Sequence, residues 1–263
     1  MDRGCLDLPR VRIGAAGMNV VAVVAARMAS TRLPGKTLLP IHGRPMLLRL
    51  IDRLSLCHRL DSIVVATTAR PENRVIAKLC KREGIGCVST PHNMDELVVD
   101  RLRLAAKATS ADAIVRVTPD CPLIDPDLVD EVVSYGTGEW DYGRIGWPAD
   151  YCSNVYPRRT YPDGLDCEFL TTEALGKLPE AEDATAYIWA YPLGFRIRSV
   201  DQKEDLSALN WTVNEAVDLE FVRWVYGRLP EGFSWRDVLG LAGSEVPVEF
   251  RRRFPFPTAI GPV

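Results

Sequence analysis

The chain has 263 residues, of which 47% are hydrophobic and 25% are charged, a composition typical of a folded globular protein and not of a disordered or fibrous one. Its 32 basic and 35 acidic residues leave a formal net charge of −3, so no overall positive field indicates binding to nucleic acid or to an anionic membrane surface. Any site for an anion must therefore be local.

The first residues and the cysteines indicate the cellular compartment in which the protein is expected. Residues 1–17 lack a continuous apolar stretch, unlike a signal peptide, and no later run approaches the roughly 20 apolar residues of a membrane span. The seven cysteines form no C-x-x-C pair, and their odd number suits a reducing compartment. We expect a disordered leader over residues 1–18 and a cytoplasmic protein.

Strands alternate with amphipathic helices over the first half of the chain. The short valine-rich run at 19–26 predicts a buried strand. Further predicted strands are 62–68, 85–90 and 111–120, and predicted helices are 45–57, 72–84, 95–108 and 125–136. This order predicts an α/β fold with a mainly parallel, doubly wound sheet. Ligands in such sheets bind at the carboxyl ends of the strands.

The second half is less regular. From Trp140 to about Leu170 the sequence is rich in aromatic residues, proline and glycine, which predicts an irregular insertion or lid with short strands. The alternation then resumes with predicted helices at 171–177, 215–229 and 234–243 and a strand at 194–200. We expect one domain over 19–243, with the insertion at about 140–170, and a proline-rich tail over 244–263.

A basic turn follows the first predicted strand. In "ARMASTRLPGKT", residues 26–37, three cations and three hydroxyl side chains lie among small residues. Guanidinium groups, hydroxyls and backbone N–H groups are common ligands of polyphosphates. The ending G-K-T resembles a P-loop, but Ser30 stands where that motif needs glycine and Pro34 removes a backbone donor. The turn is predicted to bind phosphate in another way; a solvated basic loop is the alternative.

Aspartates lie at and after the end of the last strand predicted in the first half of the chain. Asp120 falls where that strand is predicted to end. Its carboxylate could hold Mg²⁺ on a nucleotide phosphate there, because hard cations prefer oxygen ligands. Asp125 and Asp127 lie at the next helix start, where helix capping is a sufficient explanation.

Four segments, in consistent order from about Asn19 to Gly240, resemble a known family. They are VVAARMASTRLPGKTLLPIHGRPMLLRLIDRL, IVRVTPDCPLIDPDLVDEV, YPDGLDCEFLTTEAL and LNWTVNEAVDLEFV. Together they are similar to the cytidylyltransferases, which include the 3-deoxy-manno-octulosonate and acylneuraminate enzymes, and most of all to the spore-coat-polysaccharide type. The resemblance implies a Rossmann-like nucleotide-diphospho-sugar transferase fold, a homodimer, and a role in polysaccharide biosynthesis. It also implies Mg²⁺-dependent transfer of CMP from CTP to an acidic sugar, with release of pyrophosphate.

The resemblance implies roles for individual residues. It makes Arg27, Lys36 and Asp120 catalytic, and Asp120 and Asn214 the metal ligands. The residues implied to bind the nucleotide are Ala25, Ala26, Arg27, Ser30, Arg32, Lys36 and Asp100. Asp166 and Glu168 match an acidic pair that the alternate spacing would place on one strand face towards the acceptor; hydrogen bonding across the insertion is the alternative.

Some positions depart from the family pattern. Asn214 replaces the second metal aspartate, and Pro119 replaces the glycine before Asp120. An amide oxygen can ligate Mg²⁺, but at an effective dielectric of about 20 the lost charge is worth several kcal/mol. Asp183 stands where relatives have histidine, which favours a different anionic acceptor, such as a phosphonate. The alternatives are a catalytically impaired nucleotide-binding homologue and a glycosyltransferase of the same fold.

Overall fold

The computed structural model describes residues 17–91, 97–139, 146–180, 183 and 185–251. The strands are β1 Val20–Ala25, β2 Pro40–Ile41, β3 Arg44–Pro45, β4 Ser62–Thr68, β5 Gly86–Thr90, β6 Ala113–Val117, β7 Tyr151–Ser153, β8 Glu168–Thr171 and β9 Ile197–Ser199. The helices are α1 Met46–Leu54, α2 Arg74–Glu83, α3 Val98–Thr109, α4 Pro126–Thr137, α5 Thr172–Lys177, α6 Ala186–Ala190, α7 Ala216–Tyr226, α8 Trp235–Glu245 and α9 Val248–Arg251. None of the helices in the described part of the chain has the length and apolarity needed to cross a bilayer.

Seven of the described strands form one mostly parallel sheet. Their order is β5, β4, β1, β6, β8, β7, β9. β1 pairs in parallel with β4 and with β6, and β8 is antiparallel to both of its neighbours. This sheet confirms the predicted α/β fold. The strand order reverses at β1, so the carboxyl ends of β1 and β6 flank the crevice where ligands bind in such sheets.

Two apolar layers cover the sheet. Val20, Ala22 and Val24 of β1 pack in the layer that contains α1, α4, α7 and α8, whereas Val21 and Val23 pack in the layer that contains α3, α5 and α6. Successive residues of a strand point to opposite faces, so a strand covered on both sides is apolar throughout. The uninterrupted apolar run of β1 therefore marks a central strand.

The segment expected to be an insertion contributes two strands to the main sheet. β7 and β8 pair with each other, and β8 also pairs with β6, with Glu168 opposite Arg116. The loop between β7 and β8 folds against Trp211. Gly164 has a φ of 108°, and a Cβ there would lie 2.7 Å from the Trp211 backbone, so this close approach requires glycine.

Several parts of the expected domain plan fall outside the described residues. They are residues 1–16 of the leader, 140–145 at the start of the insertion, and 252–263 of the tail. Within the described part of the tail, α9 forms a short helix. The β2–β3 hairpin was not predicted, because prolines disfavour strands and its turn, with His42 and Gly43 at φ of 46° and 76°, has only a weak sequence signal.

Asp125 joins two helices. As the N-cap of α4 it accepts a hydrogen bond from the Leu128 N–H at 3.0 Å, and its other oxygen accepts one from the Trp235 N–H of α8 at 2.7 Å. The residue is 1% exposed. This confirms the capping interpretation for Asp125.

Replacing Asp125 with alanine is expected to lower the free energy of unfolding by about 2 to 4 kcal/mol, because α4 loses its cap and the buried Trp235 N–H loses its partner. Chemical denaturation would measure the change. Asp127→Ala, in the exposed first turn of the same helix, is the control, with an expected loss below about 1 kcal/mol. Equal, small losses in the two variants would contradict this role for Asp125.

Candidate functional site

The basic turn starts where β1 ends and closes on itself. Ala25 is the last residue of β1, and the N–H of Ala26 donates to the carbonyl of Ala66 in the neighbouring strand at 2.9 Å. The Thr37 hydroxyl donates to the carbonyl of Arg27 at 2.9 Å, and the Ser30 hydroxyl accepts a hydrogen bond from a backbone N–H within the turn at 3.4 Å. These contacts place the turn at the carboxyl end of β1.

Gly35 allows the turn to reverse. Its φ of 69° lies in the left-handed region, which residues other than glycine rarely adopt. Its N–H donates to the carbonyl of Met28 at 3.3 Å. The reversal returns Lys36 to the crevice between β1 and β6.

The Lys36 ammonium joins three segments of the chain. Its Nζ lies 2.8 Å from Asp120 Oδ2, 2.8 Å from the Val213 carbonyl oxygen and 3.1 Å from Asn214 Oδ1. Arg32 Nη2 donates to the same Asn214 Oδ1 at 2.8 Å. We name Arg32, Lys36, Asp120 and Asn214 the lysine cluster. All four are residues that the family resemblance placed at the phosphates or the metal: Arg32 and Lys36 at the phosphates, and Asp120 and Asn214 at the metal.

Backbone contacts hold the Asn214 side of the cluster. The Val213 N–H donates to the carbonyl of Asp120 at 2.9 Å. The N–H groups of Asn214 and Glu215 both donate to Asp218 Oδ2, at 2.8 and 2.7 Å. Asp218 is 1% exposed and forms the capping box of α7, so its role in this structure is to fix the turn that presents Asn214.

The cluster combines an excess of positive charge with two converging oxygens. Arg32 and Lys36 carry two positive charges against the single carboxylate of Asp120, which favours an anion. Asp120 Oδ2 and Asn214 Oδ1 both lie within hydrogen-bond distance of one point, Lys36 Nζ. Within residues 17–251, excluding the undescribed gaps, no group of three or more His, Cys, Asp or Glu side chains is arranged to hold a metal ion.

Asp100 lies in the first turn of α3. Its Oδ1 accepts a hydrogen bond from Arg103 of the same helix at 3.2 Å, and its Oδ2 is buried with no hydrogen-bond partner among the described residues. Arg103 also donates to the carbonyl of Leu175 at 3.3 Å, which ties α3 to α5. These contacts do not join Asp100 to the lysine cluster.

The two acidic residues expected to face the acceptor bind different arginines. Arg159 holds both oxygens of Asp166, with Nη2 2.7 Å from Oδ2. Glu168, which is 2% exposed, pairs with Arg116 and accepts a hydrogen bond from the Tyr151 hydroxyl at 2.6 Å.

The interpretation that both acidic side chains share one strand face was wrong. Asp166 lies two residues before β8, whereas Glu168 is the first residue of that strand. The backbone before Glu168 does not pair with a neighbouring strand, because the N–H of Cys167 donates to Asn154 Oδ1 at 3.0 Å.

Carboxylates gather beside the lysine cluster. Burial raises the pKa of Asp163, the charges of Asp166 and Asp120 raise it further, and Arg159 partly offsets both. Burial also raises the pKa of the Cys121 thiol well above its usual range. Cys121 is therefore a neutral thiol.

The sequence reasoning missed Arg116, Tyr151 and Arg159. Arg116 had a signal, because it is the one charged residue in the apolar strand "AIVRV", and a charge in a buried strand needs a partner. Tyr151 and Arg159 lie in the irregular segment, where no periodicity distinguishes them from their neighbours.

Comparison with known proteins places the chain in a family. Residues 21–143 match the sequence profile of the cytidylyltransferases. An uncharacterized protein of Methanocaldococcus jannaschii is 32% identical over 196 residues, which are 72% of this chain and 74% of that protein. The spore coat polysaccharide biosynthesis protein SpsF of Bacillus subtilis is 26% identical over 222 residues, 81% of this chain and 88% of that protein.

A solved structure agrees with this placement. A cytidylyltransferase from Leptospira borgpetersenii superposes with a TM-score of 0.76 at 27% sequence identity, covering 86% of this chain and 94% of that one. The matched profile spans β1, the basic turn and Asp120, and the relatives extend the similarity beyond it. The chain therefore belongs to the cytidylyltransferase family.

Proposed function

We propose that this protein transfers CMP from CTP to an anionic acceptor, a 2-keto sugar acid or a phosphonate, and releases pyrophosphate. The observation that carries the proposal is the convergence of Arg32, Lys36 and Asp120 at the carboxyl ends of β1 and β6. Cations at a sheet edge, facing the crevice of a doubly wound sheet, suit the phosphates of a nucleotide.

In this reaction an acceptor oxygen attacks the α-phosphorus, and its proton passes to the solvent. The bond from that phosphorus to the oxygen bridging the β-phosphorus breaks, and its electron pair leaves on pyrophosphate. Negative charge grows on the leaving group, so Lys36, Arg32 and Arg27 would lower the barrier by neutralising it. Ala25, Ala26 and Ser30 would shape the backbone that holds the nucleotide.

We propose Mg²⁺ as the cofactor. Asp120 and Asn214 supply a carboxylate and an amide oxygen that both contact the Lys36 ammonium, so they lie close enough together to share one ion in its place, and such hard oxygen donors fit Mg²⁺. These two residues would hold it, with the nucleotide phosphates as further ligands. Bound Mg²⁺ would add positive charge at the phosphates.

A second candidate function is nucleotide binding with impaired catalysis. Asn214 favours it, because a neutral amide replaces the second carboxylate and already accepts hydrogen bonds from Arg32 and Lys36. In that case CTP would bind with little dependence on Mg²⁺ and no acceptor would be modified.

Pyrophosphate release from CTP and Mg²⁺, measured across 2-keto sugar acids and small phosphonates, tests the transferase. Acceptor-dependent release supports it, and ATP, GTP and UTP serve as controls for the base. CTP binding detected by calorimetry, without pyrophosphate release in the presence of any acceptor, supports the second candidate. A protein that neither binds CTP nor releases pyrophosphate contradicts both. The homodimer that the family resemblance implies is a separate proposal, which sedimentation velocity tests.

A further inference from the structure

A buried asparagine lies between the basic turn and the neighbouring strand. Asn73, at the start of α2, is 1% exposed. Its Oδ1 accepts a hydrogen bond from the N–H of Met28 at 2.8 Å, and its Nδ2 donates to the hydroxyl of Thr68 at 2.7 Å. Met28 belongs to the basic turn, and Thr68 is the last residue of β4. The amide therefore ties the turn to the edge of the sheet.

Asn73 occupies the N-cap position of α2 but does not cap the helix. Asparagine is favoured at this position because its side-chain oxygen accepts a hydrogen bond from an N–H of the first helical turn. Within α2, all of which the structure describes, the side chain makes no such bond, and the oxygen binds Met28 instead. An asparagine that served only the stability of α2 would bond to the helix, so this contact indicates a role at the basic turn.

The orientation of the Asn73 amide follows from its two partners. A backbone N–H can only donate, so the atom that faces Met28 must be the oxygen, and the nitrogen then faces a hydroxyl that can accept. That hydroxyl belongs to Thr68, which is 1% exposed, and its strand pairs with both β1 and β5. The oxygen is therefore held by the interior of the sheet before any ligand arrives.

Met28 connects this oxygen to the lysine cluster. While its N–H donates to Asn73, its carbonyl accepts a hydrogen bond from the N–H of Gly35 at 3.3 Å. Gly35, with its left-handed backbone, directly precedes Lys36, whose ammonium binds Asp120 and Asn214. Because both polar backbone groups of Met28 are used, the placement of Lys36 depends on Met28 being held in position.

The part of the turn that carries Lys36 is closed by its own hydrogen bonds. The N–H of Leu33 donates to a hydroxyl of the turn at 3.4 Å, and the N–H groups of Gly35 and Lys36 donate to carbonyls of the turn at 3.3 and 3.2 Å. Pro34 has no N–H. A P-loop, in contrast, presents backbone N–H groups to the phosphates. Lys36 therefore offers a phosphate only its ammonium, and a side chain of this kind contributes fully only when it is held in place.

We propose that Asn73 is a positioning residue of the nucleotide site, which holds the basic turn in the conformation that presents Lys36 to the phosphates. The proposal rests on the proposed transferase function, because it concerns the placement of a cation that faces the triphosphate in that reaction. Asn73 acts through the backbone of Met28 and touches neither the nucleotide nor the acceptor, so it is not a catalytic residue.

The first test measures amide hydrogen exchange by NMR without nucleotide. In the unmodified protein the Met28 N–H should exchange at least about 100-fold more slowly than in an unfolded chain, because it is bonded to a buried oxygen. Asn73→Ala should raise this rate at least about tenfold, whereas Asn73→Asp, which keeps an oxygen acceptor, should change it less than about threefold. Rapid exchange at Met28 in the unmodified protein, or exchange as fast in Asn73→Asp as in Asn73→Ala, would overturn the proposal.

The second test measures CTP affinity by calorimetry, at a temperature where every variant is folded. Asn73→Ala is expected to bind CTP about tenfold more weakly than the unmodified protein, the effect of about one lost hydrogen bond. Asn154→Ala is the matched control, because Asn154 is also 1% exposed and its Oδ1 also accepts a backbone N–H, that of Cys167 at 3.0 Å. It should change CTP affinity less than about twofold, whereas general destabilisation would affect both variants alike.

The two tests separate this proposal from the transferase function. Equal CTP affinity of Asn73→Ala and the unmodified protein would overturn the positioning role and leave the transferase. No CTP binding by the unmodified protein, with slow exchange at Met28 that still depends on Asn73, would overturn the transferase and leave Asn73 as the residue that holds the turn.

Discussion

Replacing Lys36 with methionine is expected to lower kcat/KM for pyrophosphate release from CTP by about 100- to 1000-fold, the usual loss when one group that stabilises transition-state charge is removed. Methionine keeps most of the length of the side chain but carries no charge. The change removes the only group that contacts Asp120, Val213 and Asn214 together among the described residues. Steady-state assays with Mg²⁺ and the best acceptor would measure it.

A matched control and a stability measurement make the Lys36 result specific. Lys177 forms an exposed ion pair with Glu173 on α5 at 2.9 Å, and Lys177→Met should leave kcat/KM unchanged. Lys36→Met should retain a cooperative thermal transition, because Asp120, with 24% of its side chain exposed, can be hydrated when its partner is lost. Activity of Lys36→Met within about threefold of the unmodified protein would remove Lys36 from the mechanism.

The fold was largely predictable because its strongest signals are local. The apolar run of β1 and the one-sided apolar face of α1 depend on residues close in sequence, and both elements form where they were expected. The predicted ends of helices and strands were less accurate. For example, β6 ends at Val117, whereas the predicted strand extends to residue 120. Pro119 explains the difference, since proline cannot donate to the ladder and ends the pairing.

The sequence predicted which residues belong to the candidate site but not which of them contact one another. Lys36 and Asn214 are 178 positions apart, and periodicity within one element carries no information about which loops meet. The same limit hid the pairing of Glu168 with Arg116, which depends on the antiparallel placement of β8 beside β6. Family resemblance named the residues near the phosphates, and only the side-chain contacts of the folded chain show that Asp166 and Glu168 belong to separate ion pairs.

Replacing Asn214 with aspartate is expected to lower the Mg²⁺ concentration for half-maximal pyrophosphate release by at least about tenfold, because a carboxylate beside a divalent ion gains several kcal/mol at an effective dielectric of about 20. Titrating Mg²⁺ at fixed CTP and acceptor would measure the shift. Asn210→Asp introduces the same charge four residues earlier, where the side chain accepts hydrogen bonds from Thr212. This control should shift the Mg²⁺ requirement by less than about threefold.

Whether Asn214→Asp strengthens or weakens CTP binding should depend on Mg²⁺. Without Mg²⁺ the new carboxylate cancels the net positive charge of the lysine cluster and repels the triphosphate, so CTP should bind more weakly than to the unmodified protein. With Mg²⁺ the order should reverse. Pyrophosphate release by the variant and not by the unmodified protein would identify the unmodified protein as the impaired homologue, with its defect at the metal. Equal CTP affinity of the two proteins, with and without Mg²⁺, would show that Asn214 does not face the nucleotide, and the assignment of the lysine cluster to the phosphates would be wrong.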